Sequence, residues 1–199
     1  MGSSNGNASN VIAADQLKLI LSEMVTALRN HGVNYALIGG IAVTMRGRSR
    51  FTRDIDFLLD MPQLRLPALL DELAQRGFEF DLAATIAAWH QGLLTMTWRG
   101  RVRVDWMRPV VPGYQRILDL ATEVDINHQP IRVATAEGLI LLKLTAWRSN
   151  DQEDIRALLA KHAGQLDLEW IRREFAQLSA PSDPAIVGFE EMVREHYQP

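Results

Sequence analysis

A chain of 199 residues with 47% hydrophobic content is long enough for one good core, or for one core with a helical appendage. A formal net charge of -3 and a pI near 6.0 exclude coating of nucleic acid by bulk charge, while leaving room for a local basic patch. The absence of cysteine excludes disulfides and thiolate metal sites and permits a reducing cytoplasm, and no run approaches the roughly 18 apolar residues of a membrane span.

The opening MGSSNGNASN has the Gly/Ser/Asn bias of a flexible tail, so residues 1–13 are set apart from the fold. From Ala14 to Asn30, Leu17, Ile20, Leu21, Met24, Val25 and Leu28 recur at helical spacing, and Gly32 supplies the stop. VNYALIGG reads as a buried strand and IAVTMRG as a helix starting directly after the glycine pair. DIDFLLD reads as a second strand, QLRLPALLDELAQRG and DLAATIAAWHQG as helices. GLLTMTWRG and RVRVDWM alternate apolar and polar residues around Arg99-Gly100, the pattern of a hairpin, and TEVDIN with QPIRVAT suggests another strand pair around Asn127-His128. After Thr135 the texture is helical to the end. The expected fold is therefore α/β (α+β), with a mixed-sheet core over 14–134 and a C-terminal helical part over 135–199 packed on it.

Asp54 and Asp56 alternate on a strand, so both side chains share a face with Cα atoms roughly 7 Å apart. Buried strands disfavour aspartate, and the compensating partner is solvent, arginine or a metal ion; hard cations such as Mg²⁺ take oxygen ligands of this kind. Gly39-Gly40, between a strand and a helix, exposes backbone N–H groups suited to an anion. Asp105 is a third carboxylate on a strand that otherwise buries alternate residues. Together these features describe metal-dependent phosphoryl or nucleotidyl transfer better than any one of them does. Arg46, Arg48, Arg50 and Arg53 are candidates for a triphosphate or a nucleic-acid acceptor, and equally for a solvated loop. The five histidines lack ligand spacing, which argues against zinc. The tryptophans read as core or lid packing, with Trp106 and Trp147 set apart by their closeness to candidate residues.

An apolar residue, Gly39-Gly40, a spacer of thirteen residues and then DIDF resembles the signature of the DNA polymerase β-like nucleotidyltransferase superfamily. RFTRDID and KLTAWRSNDQEDIRALL look most like its AbiEii-like toxin branch and related minimal nucleotidyltransferases. The resemblance implies that Asp54 and Asp56 bind Mg²⁺ or Mn²⁺, and that Asp105 is the third ligand and helps activate the acceptor hydroxyl. It also implies that Gly39 and Gly40 face the phosphates of an NTP. Arg50 and Thr52 match the positions before the first aspartate. Lys143 and Arg148 match basic positions that would contact the triphosphate, with Lys143 on a helix crossing the open side of the cleft, and Asp151 and Asp154 match a secondary acidic pair. The implied activity moves NMP from an NTP to an acceptor hydroxyl in the cytoplasm. tRNA or another RNA is the favoured acceptor, in the setting of a toxin with an antitoxin partner. An antibiotic or protein acceptor, or a catalytically silent nucleotide-binding protein, is the alternative.

Overall fold

The computed structural model describes residues 13–48, 52–126 and 128–197. Helix α1 (Ala14–Asn30) buries Ile20, Leu21, Met24, Val25 and Leu28, the expected stripe. It stops where Gly32 turns left-handed at φ +60, its N–H donating to the Arg29 carbonyl at 3.0 Å. The chain then enters β1 (Asn34–Ile38), short α2 (Gly39–Met45) and β2 (Asp54–Asp60). Next come α3 (Leu66–Gln75), a two-residue β3 (Phe78–Glu79), α4 (Leu82–His90), β4 (Leu93–Trp98) and β5 (Val102–Met107). Helix α5 (Pro112–Leu120) and strands β6 (Thr122–Ile126) and β7 (Gln129–Val133) precede four helices, α6 (Ala136–Ala146), α7 (Ser149–Lys161), α8 (Leu168–Ala176) and α9 (Pro184–His196).

The described strands form one mixed sheet in the order β3-β4-β5-β2-β1-β7-β6. β1 runs antiparallel to β2, β2 parallel to β5, and β1 parallel to β7. The expected hairpin joins β4 to β5 through Arg99, Gly100 and Arg101, with Arg99 and Gly100 both at positive φ (48° and 62°), which short hairpin connections use. The second strand pair is also present: β6 and β7 are antiparallel, with His128 at φ 65, while Asn127 lies outside the described residues. The 1–13 tail lies outside them too, except for Ala13.

Two features depart from the sequence reading. Strand β3 was not expected; two residues carry too little alternation to register, and their strand character comes from pairing with Thr97 and Trp98 of β4. The helical run after Thr135 is interrupted at Trp147, which caps α6 in the left-handed conformation at φ 47, an uncommon state for an aromatic residue. Its indole lies against α9, where a Cβ on Gly188 would approach the ring to 2.4 Å, so the break is fixed by a contact made far along the chain. One continuous buried cluster links the sheet to the helices, from Phe57, Val104 and Trp106 to Leu144, Trp170 and Phe189.

Candidate active site

The site begins at the junction of β1 and β2. Ile38 pairs with Asp56, which places the next residue, Gly39, over the Asp56 carboxylate. A Cβ on Gly39 would sit 2.0 Å from Asp56 Oδ2, and Gly39 has φ +66. Glycine is required here twice, once for space and once for conformation. Gly39→Ala is expected to lower stability by on the order of 1–3 kcal/mol, read as a fall of several degrees in a thermal melt.

Asp54 and Asp56 share one face of β2, and the parallel register pairs Asp56 with Asp105 and Asp54 with Arg103. Residues paired across neighbouring strands project to the same side, so three carboxylates and one guanidinium occupy one patch of sheet. Burial, then the negative charges of Asp105 and Asp54, push the Asp56 carboxyl up to about 6, against opposing fields from Lys143 and Arg103. Asp105 is already engaged: Thr95 Oγ1 donates to it at 2.6 Å, and Arg103 Nε lies 2.9 Å from both its oxygens.

A cavity of about 380 Å³ opens over Asp54 and Asp56. Gly39, Gly40, Thr52, Lys143 and Arg148 line it, and Asp105 stands outside that lining. Thr52 Oγ1 donates to the Asp54 carbonyl at 3.2 Å, which steadies the start of β2. Among the described residues no three His, Asp or Glu side chains form a ready cage for a metal. The open pair Asp54 and Asp56 nevertheless suits a divalent cation: its donors are hard oxygens, and the burial and neighbouring negative charge that raise Asp56 are what such a charge would offset. Asp105, held by Arg103 and Thr95, keeps carboxylate lone pairs that these contacts leave unused.

The structure gives the basic side chains different surroundings. Lys143 does reach the cavity wall, but its Nζ is held 2.6 Å from Asp151 and 2.9 Å from Asp154, so it meets the cleft already neutralised. Asp154, fully buried, is also paired with Arg48, whose second nitrogen reaches Glu153 at 2.6 Å. Asp151 in turn accepts from the Arg148 backbone N–H at 3.2 Å at the start of α7. The secondary acidic pair thus knits α6, α7 and the loop before β2. Arg46 points away from the cleft, donating to the carbonyls of Ala134 and Val133 at 2.9 Å and to Thr122. Arg50 lies outside the described residues, and Arg53 is exposed. Trp106 is a core residue, edge-on to Trp89 with ring centroids 6.1 Å apart. Arg103 and Thr95 were missed by sequence reasoning, although Arg103-x-Asp105 on an alternating strand signals that both share a face.

The family model described as "Nucleotidyl transferase of unknown function (DUF2204)" matches residues 17–187. The chain belongs to this nucleotidyltransferase family. No curated protein matches it in sequence. Among solved structures, the nucleotidyltransferase is similar to the lincosamide antibiotic adenylyltransferase LnuA, crystallised with lincomycin, at 18% identity and a TM-score of 0.53, covering 76% of this chain and 99% of that one. It is also similar to ANT(2")-Ia in complex with adenylyl-2"-tobramycin, at 16% identity and a TM-score of 0.57, covering 82% of this chain and 99% of that one. At these identities the likeness is one of fold, a mixed sheet followed by helices. Among the described residues no helix is long and apolar enough to cross a membrane.

Proposed function

We propose that this nucleotidyltransferase moves NMP from an NTP to an acceptor hydroxyl with Mg²⁺ or Mn²⁺ at Asp54, Asp56 and Asp105. The observation that carries the reading is the Asp54–Asp56 pair on one strand face, joined in register by Asp105 and roofed by a glycine that a Cβ would drive into Asp56. The acceptor oxygen forms a bond to the α-phosphorus, the α–β bridging bond breaks, and pyrophosphate leaves. The bound cation supplies charge neutralisation at the phosphates. The protein's own groups do the rest. Gly39 and Gly40 present backbone N–H groups to the phosphates, and exposed Arg148 on the cavity rim meets the triphosphate. Lys143 contributes its field across the cleft without leaving its aspartates. Arg103 and Thr95 hold Asp105 in one orientation beside Asp56, where a carboxylate accepts the hydroxyl proton.

RNA, with tRNA the first candidate, is the acceptor we favour. A toxin role in the cytoplasm with an antitoxin partner is supported by the likeness of RFTRDID and KLTAWRSNDQEDIRALL. Incubation with each α-labelled NTP, Mg²⁺ and total tRNA, resolved on a gel, tests the reading, with lincomycin and tobramycin as parallel acceptors. Label on tRNA is the expected result. Label on a drug alone would move the acceptor to the small-molecule class, and label on neither, with no nucleotide binding, would leave a silent fold.

A further inference from the structure

Helices α6 and α7 are joined by only two residues, Trp147 and Arg148, and the chain passes there between two cavities. Ala146 and Arg148 line the cavity over Asp54 and Asp56. Trp147 lines a second cavity, of about 490 Å³, between α7 and α9, together with Gln152, Gly188 and Met192. The joint is tied on both sides: the Trp147 N–H donates to the Lys143 carbonyl at 2.8 Å, and the Arg148 N–H donates to Asp151 at 3.2 Å. Lys143, Arg148 and Asp151 all line the cavity over the carboxylates, so a rotation of the backbone at Trp147 is passed to that wall.

Trp147 holds φ 47 and ψ 32, a left-handed conformation that is unfavourable for a bulky side chain and persists only where its surroundings impose it. What imposes it is the seat of the indole on α9. A Cβ on Gly188 would lie 2.4 Å from Cζ2 and 2.7 Å from Cη2 of the ring, so the indole rests on the bare backbone of that helix. Gly188 has no positive φ, in contrast to Gly39. Alanine would suit its helical backbone better, and the indole is what leaves no room for a side chain. Backbone strain of this kind gathers at functional sites, and here it lies directly between two residues of the cleft wall.

We propose that Trp147, seated on Gly188, is a positioning residue for the nucleotide: through it, α9 sets the direction of Arg148 and of the Lys143–Asp151 pair toward the triphosphate. The proposal rests on the nucleotidyl-transfer reading and names what holds the nucleotide wall of that site in place. The test compares the full-length wild type with Gly188→Ala. Alanine favours the helix, and the open cavity beside the ring gives the displaced indole somewhere to go, so the variant should fold. Trp89, Trp98, Trp106 and Trp170 are at most 6% exposed, so acrylamide quenching of tryptophan fluorescence reads Trp147, and it should be stronger in the variant. Anisotropy with the four MANT-labelled NTPs and Mg²⁺ should show all four bound about tenfold more weakly, a size typical of coupling between sites. The rise in melting temperature with Mg²⁺ alone, which reads Asp54 and Asp56, should stay as in the wild type. Because such coupling is reciprocal, a saturating NTP should bring the quenching of the variant back toward that of the wild type. A second pair of variants needs no clash: Trp147→Ala vacates the seat, and Trp147→Gly vacates it while adopting the left-handed conformation unaided. Trp147→Gly should therefore bind NTP more tightly than Trp147→Ala. Wild-type affinity in Gly188→Ala would overturn the positioning role, and so would equal affinities in Trp147→Gly and Trp147→Ala. Failure of all four analogues to bind the wild type would instead strike the nucleotidyl-transfer reading.

Discussion

Asp56→Asn is expected to abolish nucleotidyl transfer and, in the same molecule, to raise the melting temperature. The folded protein holds the Asp56 carboxyl at about 6 instead of the ordinary 3.8, first through burial and then through the charges of Asp105 and Asp54. Because the folded state binds this proton more tightly than the unfolded chain does, stability is greatest below pH ~4 as far as this group is concerned, and declines as pH rises through 6. Above that pH the ionised group costs about 3 kcal/mol, an upper figure that any solvent reaching the cleft reduces. Asparagine keeps the shape and removes the charge, so at pH 8 the variant should melt several degrees higher than the wild type, and at pH 4 the difference should vanish. Mg²⁺ should raise the melting temperature of the wild type at pH 8 and do much less for the variant. A variant that is active, or less stable at pH 8, would remove Asp56 from the metal-binding role.

Lys143→Met should act first on stability. The change takes the ammonium away from Asp151 and buried Asp154, and removing one partner of a buried ion cluster typically costs about 3–5 kcal/mol. Chemical denaturation should show a loss of that order, and adding Asp151→Asn should recover part of it, since the uncompensated carboxylate is then gone. A simple triphosphate contact would behave otherwise: stability would hold, the affinity for all four NTPs would fall together, and Asp151→Asn would restore nothing.

The parts of the molecule legible in the sequence were those written within a few residues of one another. The α1 stripe, the strand ending at Gly39, the alternation of Asp54 and Asp56, and the Arg99-Gly100 turn each follow from local periodicity or from the φ that glycine allows. The mixed sheet with helices after it was legible for the same reason. What stayed hidden depends on long-range approach. Nothing near Lys143 in the sequence tells a free ammonium from one clamped by two aspartates on the next helix, because the geometry follows from the break at Trp147. That break depends on Gly188, and the Arg48–Asp154 pair spans 106 positions. Arg46 likewise reads as a cleft arginine beside Arg48, yet its partners are carbonyls 87 and 88 positions away.

The position of Asp154 also bears on how the protein matures during synthesis. Domains generally form from the N-terminus while the chain is still being made, at roughly 5–20 residues per second. The strands that carry Asp54, Asp56 and Asp105 leave the ribosome well before α7, yet the anion that pairs with both Arg48 and Lys143 travels on α7. Until that helix arrives, Arg48 lacks the carboxylates of Glu153 and Asp154. A nascent chain can therefore display its carboxylates without a finished cleft wall, and the step that completes the wall waits for the helical part to dock.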